Sequence, residues 1–188
     1  GVLVNTFMLA RDRELVALQM SKSDWHARRA RVILQSRAVK GALGAQTHDE
    51  LMQMFRTSAN ADWRLRAMWA LHVTGGWTPD GLLSTLADSD EYIRAWAVQL
   101  LTEDRAPAPK AVETFARMAR EDRSPVVRLY LASALQRLDP PVRWSVAGEL
   151  LTHAEDAADH NLPKIIWLGV EPLVAANPAV ALDRAGNG

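Results

Sequence analysis

Two histidines and three carboxylates fall within one short stretch, His153-Ala-Glu-Asp-Ala-Ala-Asp-His160-Asn161, where the residue types could hold a metal ion. Zinc needs three or four nitrogen, sulfur or oxygen ligands in a tetrahedral array, and calcium needs oxygens. His153, Asp159 and His160 are the candidate ligands, with Glu155, Asp156 and Asn161 beside them. Their spacing matches no zinc signature and no EF-hand loop, so the plainer reading is a solvated acidic loop that caps the following helix. Nucleophilic catalysis has less support, because no G-x-S-x-G elbow is present. Gly75-Gly76 reads as a helix stop and not as a phosphate cradle. His72, between Leu71 and Val73, reads as a packed histidine with one backbone bond. Cysteine is absent, which removes disulfides, thiolate metal sites and cysteine nucleophiles. No cofactor and no catalytic residue is expected in this segment.

A second set of residues is notable for recurring. Asp90–Leu101 reads DEYIRAWAVQLL, and related phrases are DWRLRAMWALHV at Asp62, DWHARRARVILQ at Asp24 and SPVVRLYLASAL at Ser124. Each has a capping residue followed by an arginine and an apolar run at helical spacing. Arg28, Arg66, Arg94, Arg128 and Lys164 follow one another at 38, 28, 34 and 36 residues. A catalytic constellation need occur only once, so a set that returns with each repeat is read as structural. Asp24, Asp62 and Asp90 are expected to cap their helices. Arg28, Arg66, Arg94 and Arg128 are expected to form a ladder, each bonding an aspartate or a carbonyl of a neighbouring repeat. The aromatic residues of the same helices divide between core and surface. Trp25, Trp63, Tyr92, Trp96 and Tyr130 are the candidates for contact with a partner, since tryptophan and tyrosine are enriched in interface hot spots.

The elements that must position these residues are helices throughout. Thr78-Pro79 and Ser124-Pro125 read as a cap followed by proline at the first helical position. Gly75-Gly76, Pro107 to Pro109 and Asp139-Pro140-Pro141 punctuate the pairs. Pro172 is expected to kink or end the last, strongly apolar helix, which spans Leu162 to Ala175. Two helices per period, at unequal periods of 28 to 38 residues, predict an all-α fold. The architecture expected is a right-handed α-solenoid of four to five HEAT-like helix pairs, with the second helices lining the concave face. Residues 1–14 form a lead-in, 15–178 the repeat domain, and 179–188 a C-terminal tail.

Composition narrows the function classes. Lysine plus arginine and aspartate plus glutamate both total 22, so the chain is neutral, which argues against nucleic acid as a partner. No apolar run approaches the roughly 20 residues needed to span a bilayer, so membrane insertion is not expected. The chain starts at glycine and ends in DRAGNG, and it reads as part of something longer.

The Asp-x-x-x-Arg opening of the second helices resembles the HEAT-repeat signature. The phrases DWHARRARVILQ, LRAMWALHVTGG, DEYIRAWAVQLLTEDR, SPVVRLYLASALQRL and DHNLPKIIWLGVEPLV together resemble the helical region of planctomycete-type membrane-bound dehydrogenases. The resemblance covers about Leu15 to Val174. In that family a propeller related to quinone-dependent sugar dehydrogenases precedes the helical repeats, and a c-type cytochrome domain follows them. The resemblance implies a scaffold between redox domains and a periplasmic or extracytoplasmic location. The haem-attachment motif itself is absent, because the chain has no cysteine. The function expected is therefore a non-catalytic protein-interaction module, its partner a neighbouring domain or a separate protein. The alternatives are a metal-binding or enzyme-like segment centred on His153 to Asn161, and a DNA-binding helical-repeat protein of the alkylpurine glycosylase type.

Overall fold

The computed structural model describes residues 9–179 and 181–182. Most of the expected lead-in, and all of the tail except 179, 181 and 182, lies outside them. The described residues are helical without a strand, and none of their helices is long and apolar enough to cross a membrane. The helices are α1 (Asp12–Ala17), α2 (Asp24–Val39), α3 (Thr47–Thr57), α4 (Ala61–Val73), α5 (Pro79–Ser84), α6 (Glu91–Leu101), α7 (Pro109–Glu121), α8 (Pro125–Ala134), α9 (Pro140–Leu150) and α10 (Leu162–Ala176). Short 3-10 turns extend α1, α5 and α8, and another, Ala154–Ala158, precedes α10. The chain divides into two compact units between Pro79 and Asp80.

In the first unit α1 packs on α2 and α3, α3 runs along α4, and α2 lies against α4. First helices thus neighbour first helices and second helices neighbour second helices, the arrangement of an α-solenoid. The shared core is built by Leu15, Leu34, Leu51, Met68 and Leu71, all without exposure to solvent. A helix pair alone leaves such residues in water, and burying each is worth about 1.5–3 kcal/mol. The first pair closes on itself through Asp12, whose carboxylate accepts from Arg37, from Gly44 N–H at 2.6 Å and from Thr47 Oγ1 at 3.2 Å. Helix α4 stops at the glycine pair, as its sequence predicts. Gly75 takes φ 73°, and the Gly76 N–H returns to the Leu71 carbonyl at 2.7 Å. Such a left-handed residue after a helix favours glycine because any side chain there is strained.

In the second unit α6, α8 and α10 form one layer, and α7 and α9 pack against each other in the other. Ile93, Val98, Phe115, Val127, Leu135 and Val146 fill the space between the layers. Ser124 caps α8 with Pro125 at its first position, as expected, and Pro79, Pro109 and Pro140 likewise open their helices.

Pro172 does not end its helix, one of the two outcomes expected. Helix α10 continues past it to Ala176. Proline removes the N–H that would bond the carbonyl four residues back, at Leu168. Gln136 Nε2 donates to that carbonyl at 3.3 Å, and Arg143 Nη1 donates to the Gly169 carbonyl at 3.2 Å. Gln136, from the turn after α8, thus supplies the missing donor, Arg143 of α9 binds the next carbonyl, and the helix persists.

Candidate functional site

The repeated phrase is set by two polar residues spaced i and i+2 ahead of each second helix. Side-chain oxygens of Ser21, Ser58, Asp88, Asp122 and Asp159 accept from the backbone N–H of Ser23, Asn60, Asp90, Ser124 and Asn161 at 2.8–3.2 Å. The second residue of the pair then caps the helix. Ser23 accepts from His26 N–H, Asn60 from Trp63, Asp90 from Tyr92 and Ile93, and Ser124 from Val127. For α10 the first residue does both tasks, since Asp159 also accepts from Leu162 N–H. Those N–H groups hold the Asp159 carboxyl below its usual range. Asp90 is therefore a cap, but Asp24 and Asp62 are not: they sit inside the first turn of α2 and α4, and a serine and an asparagine take the capping positions. The pattern Ser/Asp-x-Ser/Asn/Asp was present in the sequence, but the more conspicuous Asp-x-x-x-Arg obscured it.

The four arginines of the expected ladder divide accordingly. Arg94 lies four residues after its cap and grips Asp122 through two hydrogen bonds of 2.8 and 2.9 Å, while Nη1 donates to the Asp88 and Ser89 carbonyls. Arg128, at the same position and 2% exposed, grips Asp156 at 2.5 and 2.6 Å and donates to the Asp122 carbonyl at 2.9 Å. Asp122 thus joins two repeats, its carboxylate on Arg94 and its carbonyl on Arg128. These carboxylates hold both guanidinium groups above their usual pKa. The equivalent arginine on α4 is Arg64, which donates to the Phe55 carbonyl at 3.0 Å and lies over the Phe55 ring. Arg66 reaches back to the preceding pair, to the Gln19 and Ser21 carbonyls at 3.1 and 2.7 Å and to Asp24 at 2.5 Å. Arg28 is exposed and joins no ion pair among the described residues. In α2 the position four after the cap belongs to Ala27, so Arg28 is turned away from the rung. Asp62 likewise accepts no rung and is exposed.

The acidic stretch is not simply a solvated loop. Asp156 is 6% exposed and receives Arg128, which makes it a joint between repeats. His153 is occupied at both nitrogens, Nε2 lying 2.8 Å from the Ala119 carbonyl and Nδ1 3.1 Å from Glu155. His160 is exposed, and Asp159 is committed to α10. No group of three or more histidines and carboxylates is gathered for a metal ion among the described residues.

The aromatic candidates separate by distance from the true caps. Trp25 and Tyr92 both lie two residues after a cap and are 53% and 49% exposed. Trp63, one position further on, is partly buried and lines a cleft of about 540 Å³ with Val16, Met20 and Met54. Trp96 and Tyr130 occupy the sixth position after their caps, half-buried, with ring centroids 6.0 Å apart. Burial pushes the Tyr130 phenol up. Trp167 on α10, six residues after the N-cap position Asn161, stands at the equivalent register and is 52% exposed, which adds a third aromatic to the series. In the first unit that position carries Arg29 and Arg66.

Between α2 and α4, entirely within the first unit, lies a groove of about 270 Å³ lined by Asp24, Arg28 and Arg31 from α2 and Asp62, Arg66 and Trp69 from α4. The two helices present the same spacing of aspartate and arginine to it, so in these copies Asp-x-x-x-Arg is a lining pattern and not a capping one.

Residues 79–160 match the family described as HEAT repeats. No curated protein and no solved structure matches the chain. The chain is thus an all-α protein with a HEAT-repeat region in its second unit, carrying a cross-repeat arginine ladder and a partly exposed aromatic at one position of α6, α8 and α10.

Proposed function

We propose that this HEAT-repeat chain is a non-catalytic protein-interaction module, and that a partner docks on the row formed by Trp96, Tyr130 and Trp167. The observation that carries the reading is the repetition of a partly open aromatic at one position of three consecutive second helices. The positions beside it, Ile93, Val98, Val127, Leu131 and Val170, are buried. Large aromatic groups left half in water gain most when a partner completes their burial, and such residues dominate interface energetics. The arginine ladder underneath holds the helices at a constant offset, so the row is presented without reorganisation on binding.

A finer reading places the module between the redox domains of a larger dehydrogenase–cytochrome protein, outside the cytoplasm. It is supported by the likeness of the five phrases to the helical region of such proteins. A reading frame with a propeller upstream and a Cys-x-x-Cys-His motif downstream is its expected context, and a frame with neither would refute it.

The docking surface can be tested by selecting peptides from a random display library on the immobilised chain. Selected peptides are expected to lose about tenfold or more in affinity on Trp96→Ala or Trp167→Ala, and to be indifferent to Trp25→Ala in the first unit. Failure to enrich any peptide, or peptides insensitive to both row substitutions, would refute the assignment.

A further inference from the structure

We propose that the groove between α2 and α4 binds an oxyanion, a carboxylate or phosphoryl group, on Arg31 and Arg28 against the face of Trp69. The site lies in the first unit and stands independently of the aromatic row.

The charges lining the groove are unevenly paired. Arg66 is satisfied internally, its two terminal nitrogens spent on the Gln19 and Ser21 carbonyls and on Asp24. Asp24 is likewise committed, to Arg66. Arg28 and Arg31 remain, both lining the groove and neither in an ion pair among the described residues. Arg31 is the more constrained. Its guanidinium lies 5.1 Å from the centre of the Trp69 ring, and its Nη1 is shielded from solvent without a hydrogen-bond acceptor. Burial, then the like charges of Arg28 and Arg66, depress the Arg31 guanidinium, with Asp24 offsetting part of the effect. A buried donor on a cation is costly to leave unmade, and proteins leave few of them.

An incoming oxyanion answers these features. Nη1 is closed to solvent, so the oxyanion accepts from it as the Arg31 guanidinium turns toward the groove. It also offsets the positive charge that Arg28 and Arg31 leave after Asp62 is counted, and the planar fork of a guanidinium matches a carboxylate or a phosphoryl edge. The groove volume suits a small acid or the acidic end of a longer ligand. Asp62, exposed at the groove, disfavours ligands carrying several adjacent negative charges.

The test is a titration of the full chain followed through the indole N–H resonance of Trp69, identified by its disappearance in Trp69→Phe. Succinate and orthophosphate are added separately in chloride-free buffer at constant ionic strength. A saturable shift with half-saturation at about 1 mM or below is expected for at least one of them. Response to succinate alone assigns a carboxylate, to phosphate alone a phosphoryl group, and to both a general oxyanion site. Arg31→Gln is expected to abolish the shift, and Arg28→Gln to weaken binding about tenfold. A shift that rises without saturation, or one that survives Arg31→Gln, overturns the proposal. Should Arg31→Gln fail to fold, the exposed Arg28→Gln decides, and unchanged binding in that variant overturns it equally.

Discussion

Arg128 and Asp156 meet through two parallel hydrogen bonds, Nε to Oδ2 at 2.5 Å and Nη2 to Oδ1 at 2.6 Å, with side-chain exposures of only 3% and 8%. The pair fastens α8 to the turn before α10. Breaking a buried pair strands a charge, which costs about 3–5 kcal/mol, while replacing both partners by apolar groups is near neutral. Asp156→Leu and Arg128→Met are each expected to lower the urea midpoint strongly. The double variant Arg128→Met with Asp156→Leu is expected to recover most of the loss. Strictly additive losses in that cycle would contradict the direct coupling.

Gly169 is a second fastening of α10 onto α8. A Cβ built there would lie 2.7 Å from both Cβ and Cδ1 of Leu135, closer than packing allows. Leu135 is itself fully buried. Gly169→Ala is expected to destabilise the chain by about 1–3 kcal/mol through overpacking. Leu135→Ala alone is expected to cost about 2–5 kcal/mol through the cavity left behind. The two together should cost less than their sum in thermal or urea unfolding, because Leu135→Ala removes the Cδ1 contact, although the contact with Cβ remains.

Asp12 is expected to give the first unit an acid-sensitive element. Burial alone would raise its carboxyl, but the Gly44 N–H, Arg37 and Thr47 outweigh this and hold it below its usual value. A carboxylate with a folded pKa below the unfolded value of about 3.9 contributes stability above that pH, and loses it as pH falls through the folded value. Asp12→Asn is therefore expected to melt earlier than the parent chain above about pH 4, with the difference narrowing in more acid solution. A difference in melting temperature that stays constant from neutral pH down to about pH 2 would contradict the linkage.

Much of the architecture was legible in the chain. Apolar residues at helical spacing, proline at the first position of α5 and α8, and the Gly75-Gly76 stop all describe local backbone preference. Such preferences act within a turn or two and need no tertiary partner. The aromatic row was legible in part: Trp96 and Tyr130 stood out as surface candidates. Trp167 joined them only once the cap of α10 was located. The arginine ladder was harder to read. Arg94 and Arg128 were identified, but the acceptors Asp122 and Asp156 lie 28 residues downstream, in turns that look solvated in sequence.

The sequence by itself determined that this protein is a series of helix pairs, because helical period, caps and breakers are local properties of the chain. Tertiary structure alone decided which of its similar Asp and Arg residues do which task. A helix turns about 100° per residue, so moving an arginine by one position relative to its cap points it to a different neighbour. Arg94 and Arg128 stand four residues after their caps and cross to the next repeat. Arg28 stands five after Ser23 and, with Arg31, faces the α2–α4 groove instead. The same two residue types thus form a ladder in one unit and line a groove in the other, and that difference follows from where each arginine stands relative to its helix cap.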